Sequence, residues 1–441
     1  MHNNLRCFFI VVMVFVSFSV QADFNKAVKN YEAGNYQEAF LEFHSLSEIG
    51  NKNAQYNLGF MYLDGLGTKR DLTKAYAWLK LSDEDGESQG TQDILNQLSS
   101  HIKDQAEADS YYDSIFKKYS KAAVVNELKP IFTNKMDYNF AKVVKSTLPV
   151  YPVRADSLNI EGFAHAEFKL NSQGKAVEIE IVDSYPYGVF DNATIDAIKE
   201  WEFDVAGADL DNSYRYKIKF SKSGKEYSSR TKNKIKKYKA LAQKGDPVGQ
   251  FYYAMYGSTV LDDDINQAEL FYQSASQGLT DSQHELGVRL LRGEGCDKDI
   301  DKGLKWLITA ASADLGRSQL KLSEYYGQFA SAEAEQKRKF WLDKAAKSED
   351  KESALEIAKI LFDNPDYSPE LVINKLDLLE PKKVKDPIRY YMLYAATYAK
   401  MKDFKKAVRF QKKANKELKK YRRVPSDMKQ KLDLYKSKLK T

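Results

Sequence analysis

Two segments near the middle of the chain alternate apolar with polar residues, which is the period of a half-buried β-strand. They cover residues 164–170 and 177–181, and the turn-forming sequence NSQG lies between them. A third alternating segment, 214–220, places aromatic and aliphatic residues on one side and Arg215, Lys217 and Lys219 on the other. The pattern predicts three antiparallel strands with one buried face.

Between the second and third strands the apolar period becomes that of a helix. Asp191 is the predicted N-cap of this helix. Its apolar positions are Phe190, Ala193, Ala197, Ile198 and Trp201. Because such a helix can lie across the apolar face of the sheet, residues 146–222 are predicted to form a small α+β domain.

Helical spacing dominates the rest of the chain, and part of it repeats. Measured from Gln55 and from Gln283, Gly falls at +4, +10 and +12, Asp at +16, Lys at +19 and Trp at +23. Gln250 and Gln319 mark further units in the second copy. A pair of helices of this kind cannot close a core alone, so we expect the units to be stabilised by stacking.

The predicted fold class is therefore mainly α. It is an α-solenoid of helix pairs with an inserted α+β domain, which consists of a three-stranded antiparallel sheet and a helix. The predicted segments are a leader at 1–22, helical repeats at 23–145, the α+β domain at 146–222, further repeats at 223–350, and helices with a basic C-terminal region at 351–441.

The leader has the features of a secretory signal peptide. Arg6 precedes an apolar run from Cys7 to Val20, and a small residue, Ala22, ends the segment. The predicted cleavage site is therefore between Ala22 and Asp23. An uncleaved membrane anchor is the alternative, but the run of 14 residues is shorter than the ~20 that a spanning helix needs.

The net charge of +6 is unevenly distributed. Residues 382–441 contain 21 Lys/Arg and 5 Asp/Glu, a balance of +16, which leaves −10 for residues 1–381. In an exported protein such a region favours contact with anionic lipid headgroups or acidic protein surfaces, and no nucleic acid partner is expected. The alternative is the solvated face of terminal helices.

Candidate catalytic and metal-binding residues are scattered. The sequence has no HExxH, GxSxG, CxxC or GxxxxGK[ST] motif. The histidines after the leader occur singly, at His44, His101, His165 and His284, and after cleavage only Cys296 would remain. The sequence therefore predicts no enzyme, no cofactor and no metal site.

The central segment resembles the C-terminal domain of the TonB family. The matching positions are Tyr151, Pro152, Ala155, Gly162, Phe168, Gly174, Val177, Ser184, Pro186, Gly188, Phe190, Ala193, Ala197, Trp201, Glu202 and Phe203. The resemblance implies a periplasmic domain whose last strand takes up an extended peptide of an outer-membrane transporter. Carried over by position, the candidate peptide-binding edge strand comprises Tyr214, Arg215, Tyr216, Lys217, Ile218 and Lys219.

The repeats resemble Sel-one-like repeats, and the flanking helices look like tetratricopeptide repeats. The first unit carries Gln55, Gly59, Gly65, Gly67, Asp71, Lys74, Ala75 and Trp78 in family positions. Such repeats imply protein binding, with Trp78 and Trp306 as core residues.

Together these features predict a non-enzymatic periplasmic adaptor that binds envelope proteins, including segments of outer-membrane transporters. A TonB-type energy transducer for outer-membrane transport is the alternative. The chain departs from that family in three ways: it has no convincing anchor, no His in the apolar run and no proline-rich spacer.

Overall fold

The structure is a computed structural model that describes residues 24–136, 139–140, 142–186, 188–206, 209–210, 212–224, 226–384, 386–419 and 426–439. The predicted cleavage site at Ala22 and Asp23 lies outside these residues. The chain divides after Glu127 into two compact units. Within the described ranges, no helix has the length and apolar character needed to cross a membrane.

The first unit is helical. Its helices are α1 (Phe24–Glu32), α2 (Tyr36–Glu48), α3 (Lys52–Asp64), α4 (Leu72–Ser82), α5 (Gln89–Ser99), α6 (Gln105–Tyr119) and α7 (Lys121–Glu127). The apolar sides of the first four pack into one core, in which Phe43, Leu58 and Trp78 are buried.

The second unit begins with the sheet domain. Its strands are β1 (Phe132–Met136), β2 (Asn139–Phe140), β3 (Val143–Lys145), β4 (Gly162–Leu170), β5 (Ala176–Tyr185), β6 (Glu202–Phe203) and β7 (Tyr214–Phe220). Two helices lie among them, α8 (Val153–Ser157) and α9 (Asp191–Glu200).

Helical repeats follow in the same unit. They comprise α10 (Ser229–Gln243), α11 (Pro247–Val260), α12 (Gln267–Ser276), α13 (Thr280–Arg292), β8 (Glu294–Cys296), α14 (Ile300–Ser312), α15 (Gly316–Tyr326) and α16 (Ala332–Lys347), which we call the second array. The remaining helices are α17 (Ala354–Asp363), α18 (Pro369–Asp377), α19 (Pro387–Lys400), α20 (Phe404–Lys419) and α21 (Ser426–Lys438). The chain is thus mainly helical, with a small sheet region, as predicted.

Three of the four repeated glutamines have the same structural role, whereas Gln250 donates through Nε2 to Gln273 Oε1 at 3.2 Å. In these three, the Gln side chain donates through Nε2 to the carbonyl eight residues upstream, near the end of the preceding helix. The pairs are Gln55 to Ser47 at 3.2 Å, Gln283 to Ala275 at 3.4 Å and Gln319 to Ala311 at 3.1 Å. These bonds tie the three units to their predecessors, which explains why the residue recurs.

The other repeated positions shape the turn between the paired helices. Asp71 and Asp299 are N-caps whose side chains accept the backbone N–H three residues later, each at 3.0 Å. Gly65 and Gly293 end the preceding helices with φ of 72° and 77°, a left-handed conformation that favours glycine.

The sheet contains one strand more than the sequence predicts. Its order is β2-β7-β4-β5, with β4 antiparallel to both β5 and β7. β2 adds to β7 in parallel, pairing Asn139 with Tyr214 and Phe140 with Arg215. The predicted three-stranded antiparallel sheet is corrected in this respect, because a two-residue strand leaves no alternating pattern in the sequence.

The apolar face of the sheet packs against α9 as predicted. Phe168 on β4, Ile218 and Phe220 on β7 and Ile198 on α9 are buried in one core. Asp191 is not the N-cap as predicted, because it is already the first helical residue and Phe190 occupies the cap without a side-chain hydrogen bond.

The helix contact at Gly59 yields a prediction. A Cβ at this position would lie 2.6 Å from Cγ of the buried Leu79, so Gly59→Ala should destabilise the first unit by roughly 1–3 kcal/mol through overpacking. Gly90→Ala is the matched control, because Gly90 is also helical and a Cβ there meets nothing within 4 Å. Denaturant unfolding of both variants measures the difference, and equal midpoints would contradict the packing argument.

Candidate protein-interaction site

The predicted peptide-binding segment forms β7. One edge of β7 is paired with β4 along its whole length, from Tyr214 opposite Phe168 to Phe220 opposite Gly162. On the other edge, Tyr214 and Arg215 are the β7 residues that pair with a neighbouring strand in the described ranges. The first two candidate residues are therefore inside the sheet, whereas Tyr216, Lys217, Ile218 and Lys219 retain an edge without a ladder partner in the described ranges.

The side of β7 that carries the basic residues is only partly turned to solvent, because Arg215 is buried whereas Lys217 and Lys219 are exposed. Arg215 is 7% exposed and donates through Nη2 to Glu294 Oε1 at 2.6 Å and through Nε to Glu167 Oε2 at 2.8 Å. Glu294 lies in the glycine turn between α13 and α14. The charge of Arg215 is thus already paired with two carboxylates of the same unit and is not available to a peptide.

Lys217 also faces the second array. Its ammonium donates to Thr259 Oγ1 on α11 at 3.0 Å, and although part of the side chain remains accessible, desolvation lowers the pKa of the ammonium. Nearby, the ring of Tyr256 contacts those of Phe163 and Tyr185. We call this side of the sheet the docking face; of its three basic residues Arg215 is buried, whereas Lys217 and Lys219 are exposed and neither forms an ion pair within the described ranges.

The docking face buries two titratable groups with opposite shifts. Burial lowers the pKa of the His165 imidazole to about 3, helped by the charges of Lys217 and Arg215. Burial raises the pKa of the Asp183 carboxyl to about 7, and Glu285 on α13 adds to this rise. The sheet therefore docks on the array through a layer of ionisable side chains. The pKa values of His165 and Asp183 in this layer differ from those in an unfolded chain.

Two further contacts hold the sheet domain to the helices. The Glu161 carboxylate accepts from Ser228 N–H at 2.8 Å and from Thr231 Oγ1 at 2.8 Å at the start of α10. Arg154 donates to the carbonyls of Lys382 and Val384 at 2.8 and 3.0 Å, just ahead of α19. The domain is thus fixed at three places, which sequence reasoning did not identify. Glu161 and Arg154 belong to no periodic pattern, and the alternation that includes Arg215 and Lys217 indicates a solvent-facing side.

The segment 128–136, which precedes the four-stranded sheet and includes β1, is held through its backbone. We call it the connector. Carbonyls of residues 128–133 accept hydrogen bonds from the second array, and β1 pairs antiparallel with β8. The bonds are Trp306 Nε1 to Leu128 at 3.2 Å, Lys302 Nζ to Lys129 at 2.8 Å, Asp297 N–H to Ile131 at 2.8 Å and Asn266 Nδ2 to Thr133 at 3.0 Å. The array therefore binds an extended segment of its own chain.

An exposed apolar row begins in β3 and continues in the segment between β3 and α8. Val144, Leu148 and Val150 are 67%, 94% and 69% exposed. The Trp201 indole links this segment to β7: its Nε1 donates to Thr147 O at 2.9 Å, and its ring packs edge-on against Tyr216. Exposed aliphatic side chains in a segment that is linked to an edge strand are features of an interaction surface.

The described residues contain no group of three or more His, Cys, Asp or Glu side chains that could hold a metal ion. Cys296 is buried, and desolvation raises the pKa of its thiol to about 11, so it lacks the thiolate character of a nucleophile. His284 is half-buried with its Nδ1 2.9 Å from Ser318 Oγ, and desolvation lowers the pKa of its imidazole well below the ordinary value.

This combination of stacked helix pairs and a docked α+β domain is that of a helical-repeat interaction protein. The family model described as Gram-negative bacterial TonB protein C-terminal matches residues 147–221. The Sel1 repeat model matches residues 52–82 and 280–315. Both predicted resemblances are thereby confirmed.

Curated relatives match parts of the chain. The chitin synthase regulator SKT5 of Saccharomyces cerevisiae is 24% identical over 310 residues, which are 69% of this chain and 38% of that protein. Protein TonB of Yersinia enterocolitica is 26% identical over 78 residues, 18% of this chain and 31% of that protein. Protein TonB of Salmonella typhimurium is 30% identical over 57 residues, 13% and 24% of the two chains. The chain thus spans less than two-fifths of each of these relatives.

Two solved structures are distantly similar. A Sel1 repeat protein from Oxalobacter formigenes has a TM-score of 0.36 and 14% identity, with 92% of this chain and 86% of that chain covered. A protective antigen of uropathogenic Escherichia coli with an SLR fold has a TM-score of 0.28 and 16% identity, covering 93% and 83%. The two matching family models, Sel1 repeat and TonB C-terminal, are of the kind that mediates protein–protein interaction.

The ion pairs of Arg215 allow a direct test of docking. Arg215→Met leaves Glu167 and Glu294 without their shared cation, and we expect a loss of about 3 kcal/mol in unfolding free energy, the lower end for a broken buried pair because Arg289 still contacts Glu294. Lys219→Met, on the same side of β7 but exposed, should change it by less than about 0.5 kcal/mol. Similar losses in both variants would contradict the assignment.

The shift of Asp183 predicts a pH dependence. Its pKa rises from the ordinary value of about 3.9 to about 7, so the folded chain holds a proton between these values that the unfolded chain has released. The stability that this carboxyl contributes is therefore present below pH ~4 and lost as the pH rises through ~7. Asp183→Asn should gain stability relative to the wild type between pH 4 and pH 8.

The measurement is denaturant unfolding of both chains across this range. Besides Glu285, the groups that act on Asp183 are Arg289, Lys217 and Glu294, and His165 acts on stability in the opposite sense, losing it as the pH falls from ~6.5 toward 3. Taking the difference between the two chains removes the common contribution of His165. Glu180→Gln, an exposed carboxylate on β5, is the matched control; a difference for Asp183→Asn that stays constant with pH would contradict the prediction.

Proposed function

We propose that this chain is a non-enzymatic adaptor of the Gram-negative periplasm, in which the open part of β7 binds an extended segment of a partner protein. The observation that carries the proposal is that, among the described residues, this edge of β7 is paired at Tyr214 and Arg215 and has no partner beyond them. There, outward-facing main-chain groups of Tyr216–Phe220 can accept a further strand, and the row Val144, Leu148 and Val150, whose segment Trp201 links to Tyr216, offers apolar contacts.

β7 is suited to strand addition because it is already held in place by its neighbours. A strand that adds to an edge loses conformational entropy, so a host strand that is already fixed lowers the total cost of pairing. β7 is held by β4 on one edge and by Arg215 and Lys217 to the second array. The predicted signal peptide and the TonB-like match support the periplasmic location.

A TonB-type energy transducer for outer-membrane transport is the second candidate, and the match at residues 147–221 is what favours it. In this chain the matched domain is docked on helical repeats of the same unit. The adaptor function needs only the binding surface, whereas transduction also needs an anchored chain that can pull on it. Mass measurement of the mature N-terminus separates them, since a chain beginning at Asp23 is unanchored.

Strand addition predicts an alternating outcome in a proline scan of Tyr216–Lys219. Along β7, amides that face β4 alternate with amides that face away from it. Proline at the first kind removes a ladder bond and should destabilise the domain, whereas proline at the second kind should leave it folded but abolish partner binding. Hydrogen exchange of the β4 amides distinguishes the two kinds.

Partner binding is measured by photocrosslinking in cells with benzoylphenylalanine in place of the exposed Leu148. The same crosslinker in place of Leu434, which is 54% exposed on α21, is the positional control. We expect a crosslinked product from the first position that the folded proline variants lose. Undiminished crosslinking in every folded variant would rule out strand addition.

A further inference from the structure

Five cations form a straight row on α20. Lys405, Arg409, Lys412, Lys416 and Lys419 follow one another at spacings of four, three, four and three residues, and all are exposed. At 3.6 residues per turn they fall within about 80° of the helix circumference and extend over about 21 Å. We call them the basic row.

The row is separate from the cations that α20 uses internally. Lys406 pairs with Asp403 at 3.3 Å, and the ammonium of Lys413 lies 4.8 Å from the ring centroid of Phe410. Within the described part of the chain, none of the five residues of the basic row forms an ion pair. The helix as a whole carries seven cations and one carboxylate, Glu417, which lies off the row.

The arrangement is unfavourable in the free protein. Like charges three or four residues apart on a helix repel each other, and the basic row contains four such neighbouring pairs. The opposite side of α20 cannot account for the row, because it is buried through Ala407, Gln411 and Ala414. A row that is destabilising by itself and complete over four turns indicates an anionic partner.

We propose that the basic row is a docking site for an acidic α-helix of a partner protein. Its charges recur about every 5 Å along the axis, which is the spacing of carboxylates at i, i+3/i+4 positions on one side of a second helix. An interfacial membrane helix would also expose large apolar residues beside its charges. The exposed large hydrophobic residues in the described ranges include none on α20. This site is independent of peptide pairing at β7.

The test uses the full chain and two labelled helical peptides of about 20 residues. One carries five Glu at i, i+4, i+7, i+11 and i+14, and the other has the same composition with the Glu distributed around the helix. By fluorescence anisotropy at low ionic strength, we expect the first to bind about tenfold more tightly than the second. Binding should weaken as salt rises, because exposed charges are screened.

Variants then locate the site. Arg409→Gln/Lys412→Gln should weaken binding of the first peptide at least roughly threefold, while Lys429→Gln/Lys431→Gln, which removes two exposed charges from α21, should change it less than about twofold. An unchanged unfolding midpoint confirms that both variants fold.

Three results would overturn the proposal. They are equal binding of the two peptides, equal effects of the two double variants, and absence of peptide binding together with binding to phosphatidylcholine vesicles that contain about one-quarter phosphatidylglycerol. The last result would assign the row to an anionic membrane surface instead.

Discussion

The arrangement of the second unit depends on Arg215, whose guanidinium joins Glu167 of the neighbouring strand to Glu294 of a repeat turn. Buried charges are costly unless each has a partner, so the sheet and the array must come together in one register for all three to be satisfied. The neighbouring contact between Lys217 and Thr259 fixes the same register. The sheet domain is therefore part of the repeat unit, although its sequence resembles a separate module.

This docking uses a turn position at which the two copies of the repeat have different residues. Glu294 stands between the two glycines of the turn, and the equivalent position of the first copy is Leu66. The glycines provide the backbone conformation, while the residue between them faces whatever packs on the turn. In the second copy that neighbour is the sheet, and the same turn pairs with β1 of the connector.

The sequence was most informative where a pattern repeats. Helix pairs, glycine turns and the three main strands follow from periodicity, because one local rule acts at many positions. The docking face could not be predicted in this way. Arg215 and Lys217 alternate with apolar residues, which by itself indicates a solvent-facing side; the burial of Arg215 depends on Glu294, 79 residues later, and the contact of Lys217 depends on Thr259. The two-residue strand β2 and the connector contacts were missed for the same reason, since neither has a local signal.

For function, the structure separates the scaffold from the surfaces that remain available. Trp78 and Trp306 are buried scaffold residues, and Arg215 is engaged in docking. The open part of β7, the exposed row that ends at Val150 and the basic row of α20 are accessible in the described ranges. Under the proposed function, these separate surfaces of the second unit would bring partners together.

The central claim is that the sheet and the second array are held together by the Arg215–Glu294 contact. A double-mutant cycle tests it most directly, with Arg215→Met, Glu294→Leu and the two combined, and Leu chosen because Leu66 occupies the equivalent turn. Our account predicts a coupling of at least about 2 kcal/mol in the free energy of unfolding, so that the double variant loses much less than the sum of the single ones. Losses that add to within about 0.5 kcal/mol would contradict it.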